Sequence, residues 1–139
     1  MAYWLIKSEP DTWSWDQQVK AGAKGTEWTG VRNHSAKLNL MKMKKGDRCF
    51  FYHSNEGKQI VGIAEVIREH YIDPTDDTKK FVAVDVKAKE ALKTPVTLAQ
   101  VKTEAKLKNM ALIKLSRLSV QPVTAEEWTT VCKLGGVKP

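Results

Sequence analysis

The stretch Asp47–Ile67 limits what this chain can fold into more than any other. It carries two apolar runs, Arg48-Cys49-Phe50-Phe51-Tyr52-His53 and Gln59-Ile60-Val61-Gly62-Ile63-Ala64-Glu65-Val66-Ile67, joined by Ser54-Asn55-Glu56-Gly57-Lys58. Aromatic and β-branched residues flanking a short polar loop with one glycine predict a β-hairpin. Neither run alternates between apolar and polar, so both faces are expected to be covered, as in the wall of a small closed barrel. Tyr52, His53 and Ser54 put hydrogen-bonding groups at the end of the first strand. Gly62 falls inside the second, where a missing side chain weakens pairing but lets another backbone, or a ligand, come close. A barrel with a polar lip and a close-approach glycine suits a small flat ligand.

The rest of the chain supplies strands and short helices to surround that hairpin. Tyr3–Lys7 reads as a strand, stopped by Ser8-Glu9-Pro10 because proline cannot donate to a ladder. Ser14-Trp15-Asp16-Gln17 has capping-box spacing and predicts a helix from Trp15 to about Lys20. Lys24–Gly30 reads as a loop carrying Trp28. Asn33 can cap a helix over His34–Lys42, with Ala36, Leu40 and Met43 on one side. Glu69–Lys80 reads as a polar loop whose acidic patch, Asp73–Asp77, points away from any site. Phe81–Ala88 alternates as a strand, Thr97 opens a third helix, and Leu112–Val123 is a last strand region. Thr124-Ala125-Glu126-Glu127 is a further capping box, leading a helix that turns Trp128, Val131 and Cys132 inward and ends near Gly135. Strands interrupted by short helices, without repeats or linkers, indicate one α+β domain over residues 1–139 around a small barrel.

Charge and cysteine usage narrow the function. The net charge of +7 is concentrated in two blocks. Arg32, Lys37, Lys42, Lys44, Lys45 and Arg48 face a single acid, Asp47, and Lys102, Lys106, Lys108, Lys114 and Arg117 face only Glu104. Such blocks suit either a polyanion partner or solvated helix faces. Cys49 and Cys132 both lie in apolar segments with no CxxC pair, which argues for a reducing compartment and against a disulfide framework or zinc site. Ala2–Ile6 is too short for a signal or spanning segment. The expectation is an intracellular monomer, cytoplasmic or, in a eukaryote, nuclear, with no membrane role. His34, His53 and His70 are not at metal-ligand spacings, and no P-loop, dinucleotide fingerprint or nucleophile elbow occurs.

Several segments, taken in order, resemble the EVE domain. They are Tyr3–Pro10, Trp28–Asn33, Gly46-Asp47, Phe51–Ser54, Val61–Val66, Val84–Val86, Pro95–Leu98, Arg117–Val120 and Glu127-Trp128. The EVE domain belongs to the PUA-like superfamily of small β-barrels and is similar to the YTH domain, which holds a modified base in an aromatic cage. The resemblance implies a PUA-like β-barrel with a pocket for a flipped, modified nucleobase in DNA or RNA. One departure stands out. Family members commonly carry a longer insert ending in Trp before the Val-Asp-Val strand, whereas here the loop is short and Phe81 stands there, so that wall is expected to be smaller or absent.

A base reader needs a flat wall for stacking, polar groups for the base edge, and cations for phosphates. With the resemblance, Trp28 becomes the wall, a core plug being the other reading. Ser8 and Asn33 either bond the base edge or cap backbone. Tyr52, His53 and Ser54 alternate in direction, so at most two share the pocket. Arg117 either pairs with Asp85 or Glu65 or contacts the ligand. Arg32, Lys37, Lys42, Lys44 and Lys45 would hold the flanking backbone, and Trp4, Trp13, Trp15 and Trp128 are assigned to packing. The expected function is recognition of a modified base in nucleic acid, without catalysis, metal or cofactor. An enzyme on a modified nucleobase using Ser8, His53 and Glu9, or a small-molecule sensor, is the alternative.

Overall fold

The hairpin forms and anchors everything else. In the computed structural model, which describes residues 1–139, strand β3 (Arg48–His53) pairs antiparallel with β4 (Gln59–Ile72), Arg48 opposite Glu65 and His53 opposite Gln59. Strand β1 (Tyr3–Ser8) lies parallel to β3, Tyr3 beside Arg48 and Ser8 beside His53. Before β3 come helix α1 (Trp15–Lys20), the short strand β2 (Thr26–Trp28) and helix α2 (His34–Lys42). After β4 come β5 (Val82–Thr97), α3 (Leu98–Thr103), α4 (Ala111–Lys114), β6 (Val120–Val123) and α5 (Ala125–Gly135). The six strands form one sheet in the order β2-β5-β4-β3-β1-β6.

The α+β class holds, but hydrogen bonds do not close the sheet: β2 and β6 are its two edges. Helix α2 packs against β6 near one edge and against β5 and β4 toward the other, so the sheet curls around it and the helix fills the gap. Ala36, Leu40 and Met43 are fully buried there with Ile6, Phe51, Val66, Val84 and Val86. The opposite face buries Leu5, Phe50, Tyr52, Ile60 and Ile63 against Trp128, Val131 and Cys132 of α5. Phe50 and Phe51, adjacent and therefore on opposite faces, are both fully buried. This double covering is why the hairpin strands do not alternate. Trp128 stacks between Phe50 at 3.9 Å and Tyr3 at 4.5 Å.

Four local expectations change. Thr26–Trp28 is an edge strand rather than loop, because Trp28 pairs with Val84 and Thr26 with Val86 of β5. Strand β4 continues past Ile67 to Ile72, since Tyr71 and Ile72 find partners in Ala83 and Val82. Strand β5 runs through Pro95, which falls in a register shift between the Val96 and Ala91 pairings, where no ladder N–H is required. The last strand is only Val120–Val123. The buried Gln121 amide donates to the Leu115 and Leu118 carbonyls, holding residues 115–118 as a loop, with Arg117 on that loop. Gly62 does mark a close approach, but the visitor is an indole: a Cβ there would sit 2.4 Å from the Trp15 ring.

Candidate nucleic-acid interface

A cleft of about 550 Å³ opens where β1 ends, lined by Lys7, Ser8, Glu9, Thr12 and Trp13, by the run Thr26–Asn33, and by Ser119. Pro10 stops β1, and the Thr12 and Trp13 amides both donate to the Glu9 carbonyl, folding Trp13 back over the strand end. The Trp13 Nε1–H donates to Gln18 Oε1 at 2.8 Å, and the buried Gln18 donates in turn to the Val86 carbonyl of β5. Trp13, half-buried, is thus aimed by the sheet itself. Trp28 comes from the end of β2. Its indole meets Phe51 edge-on at 5.6 Å and stays 9% exposed, so its back is in the core while it forms part of the cleft lining.

The wall that follows Trp28 is held by Asp73, whose side chain is fully buried. Asp73 Oδ2 accepts from the Gly30 N–H at 2.9 Å and from Arg32 Nη1 at 3.0 Å. Its Oδ1 accepts from the Thr75 N–H and hydroxyl, both at 2.7 Å. Burial alone would raise this carboxyl, but the bonds from Thr75, Gly30 and Arg32 outweigh it and hold the pKa at about 2. The acidic loop therefore turns toward the cleft, correcting the expectation that it points away. Neighbouring Asp76 closes the loop by accepting from Thr78, Lys80 and Phe81. Phe81 does not line the cleft; it lies beneath Arg32 and Lys37, 5.4 and 5.9 Å from its ring.

Of the residues singled out from sequence, Ser8, Trp28, Arg32 and Asn33 meet in this cleft. Ser8 donates its hydroxyl to the Trp13 carbonyl, and Asn33 Oδ1 accepts from the Ala36 N–H as the cap of α2. Both cap backbone, yet the Ser8 oxygen lone pairs and the Asn33 Nδ2 remain available to a ligand. Tyr52, His53 and Ser54 are not on the lining. Tyr52 faces the opposite core. His53 Nε2 accepts from the Trp15 N–H at 3.1 Å, and burial, opposed by Asp16, lowers its pKa. Ser54 contributes only its N–H, to the Ser8 carbonyl. Strand alternation turns Tyr52 to the other face, and α1, whose first amide covers the end of β3, takes up His53. Ser8 and His53 are register neighbours but share no hydrogen bond, each side chain being taken up elsewhere.

Arg117 lies outside the cleft in an adjoining hollow of about 380 Å³, shared with Asn33, Ser35, Lys114, Leu115, Ser116 and Leu118. It pairs with neither Asp85, which accepts from Tyr71, nor Glu65, which pairs with Lys87 and Lys89. Lys42, Lys44 and Lys45 are exposed at the other end of the molecule. They precede Arg48, which lies beside Tyr3, roughly 17 Å from Ser8 at the usual strand rise. Sequence reasoning missed Trp13, grouped with the buried tryptophans, and Asp73, whose Asp-Pro-Thr setting was a turn signal only. No His, Cys, Asp or Glu side chains converge in threes as a metal would need. No helix is long and apolar enough to cross a membrane.

Known proteins share this fold. A solved protein of Rhodopseudomonas palustris is similar at 70% identity, over 98% of this chain and 94% of that one, with a TM-score of 0.93. Human THYN1 protein, solved in complex with 5-methylcytosine-containing DNA, is similar at 34% identity over 100% of both chains, with a TM-score of 0.89. The YTH domain of Zygosaccharomyces rouxii MRB1, at 18% identity over 99% and 88% and a TM-score of 0.60, shares the fold. The EVE domain family model matches residues 2–134, and this chain belongs to the EVE domain family.

Proposed function

We propose that this chain reads a modified base in nucleic acid, holding it flipped out of the strand in the cleft, without catalysis. The observation that carries the reading is the cleft itself, with Trp28 braced against Phe51 and Trp13 aimed by Gln18. Its size lies within the range of sites for small flat ligands. Indoles stack any base face, and a rigid lining favours one shape over another. The DNA complex of the human relative supports a methylated base as the ligand class. Ser8 and Asn33 would meet the base edge, with the Glu9 carboxylate as an acceptor for amino groups. Arg32 and Lys37 would lie near the strand. Lys42, Lys44 and Lys45 would be reached only by backbone several nucleotides away. The chain would act as one domain, monomeric, inside the cell.

The test is binding to paired oligonucleotides that differ only in one modified base, 5-methylcytosine first. Trp28→Phe and Trp13→Ala should lose most of the discrimination, since a stacked base is worth about 1–3 kcal/mol. Binding to plain strands should persist, because phosphate contacts are independent of the base. Wild-type protein that binds both strands alike, or folded variants that keep full discrimination, would overturn the reading. Release of an altered base or nucleoside on prolonged incubation would overturn its non-catalytic half.

A further inference from the structure

The cleft and the hollow beside it differ in charge. The cleft is lined by Glu9, by Glu27, whose carboxylate accepts from the Tyr71 hydroxyl, and by Lys7 and Arg32. Arg32 is matched by Asp73, and the Lys7 ammonium is engaged with the Ser116 carbonyl at 2.6 Å. The hollow carries Lys114 and Arg117 and no acid, and the three ion pairs of the protein involve neither. An anion would meet acids as well as cations in the first space, and two unmatched cations with no acid in the second.

The two spaces also share a wall. Asn33 lines both, the consecutive residues Leu118 and Ser119 line one each, and Lys7 of the cleft bonds Ser116 of the hollow. A ligand group leaving the cleft over Asn33 enters the hollow directly. The floor there is fixed rather than floppy, because the fully buried Gln121 amide ties down the Leu115 and Leu118 carbonyls on either side of Ser116 and Arg117. Leu115, 53% exposed beside these cations, offers an apolar face to a sugar.

We propose that this hollow seats the phosphodiester adjoining the flipped nucleotide, with Lys114 and Arg117 as its charge partners and the Ser35 and Ser116 hydroxyls as donors. Base and backbone are then held in separate compartments divided by Asn33. The assignment rests on the base reading of the cleft and adds where the strand leaves it.

The experiment combines the double variant Lys114→Gln/Arg117→Gln with single-stranded oligonucleotides carrying one modified base and one uncharged methylphosphonate, moved along the strand. Wild type should lose affinity when the methylphosphonate is next to the modified nucleotide. In the double variant that substitution should no longer matter. The slope of log affinity against log salt should flatten by about 0.7 for each phosphate that is no longer neutralised. Preference for the modified base should survive, and Arg117→Lys alone should keep the wild-type slope. Equal sensitivity of wild type and double variant to the neighbouring methylphosphonate, an unchanged salt slope, or loss of base preference in the double variant would each overturn the proposal. Wild type indifferent to the base modification would instead count against the base reading, while the coupling between methylphosphonate and variant would still report on the hollow.

Discussion

Replacing Asp73 by Asn changes one polar atom and tests how the cleft wall is held. The carboxylate takes four donors: the Gly30 N–H and Arg32 Nη1 on one oxygen, the Thr75 N–H and hydroxyl on the other. An amide can accept on one side only. Whichever way it turns, its NH2 faces two donors, and the charge that matched Arg32 is gone. Hydrogen bonds to a charged group are worth about 1.5–3 kcal/mol each. Arg32 recovers part of its loss because its side chain is 39% exposed to water. The net cost is expected to be about 2–4 kcal/mol.

The pH dependence gives an independent reading of the same bonds. The folded state holds Asp73 at about 2 against an ordinary 3.8. A depressed carboxyl stabilises the fold above its unfolded pKa, and that share is lost as pH falls toward the folded value. The window is therefore about pH 4 down to about pH 2, and the share is about 2 kcal/mol. Urea denaturation of both proteins across that window should show the wild type converging on Asp73→Asn. At neutral pH the variant should also discriminate bases less well, because Gly30 and Arg32 continue the Trp28 segment. If the two proteins lose stability in parallel on acidification, or differ by less than about 1 kcal/mol at pH 7, Asp73 does not hold this wall.

Three further outcomes are expected. Gly62→Ala places a methyl 2.4 Å from the Trp15 indole, so it should cost about 1–3 kcal/mol in denaturation and shift tryptophan emission; an unperturbed variant would mean that Trp15 is seated elsewhere. Burial pushes the Cys49 thiol well above its usual range, with Asp47 adding to it, and burial together with Glu90 pushes Cys132 up to about 11, so thiol labelling should be slow in native protein and fast in denaturant. Rapid native labelling of either would contradict the packing described. Changing Lys42, Lys44 and Lys45 together to Gln should weaken long duplexes and flatten their salt dependence while leaving short strands nearly untouched; an equal loss on both would place the lysines at the cleft after all.

What the sequence discloses follows the range over which each feature is decided. Asn33, Ser14 and Thr124 cap helices as their spacing predicts, because each bond partner lies three residues on. The β3–β4 hairpin is legible for the same reason. Strand β2 is not, since three residues give no pattern and their partners, Val84–Val86, lie far along the chain. Asp73 reads as a solvated acid because its donors at Gly30 and Arg32 are more than forty residues away. In the site, Ser8 and Asn33 are legible as a strand end and a helix start, whereas His53 is taken up by α1 closing over the end of β3, a contact the sequence does not announce. Trp28 shows where reading by alternatives fails. Plug and wall are separate options on paper, but the indole packs nearly perpendicular to Phe51 and also forms part of the cleft lining. A wall braced by the core is a rigid one, and rigidity is what lets a stacking surface tell one base from another. Removing it by Trp28→Ala should therefore cost about 3–5 kcal/mol of stability and the discrimination together. A change that loses one without the other would show that the brace and the wall are separable.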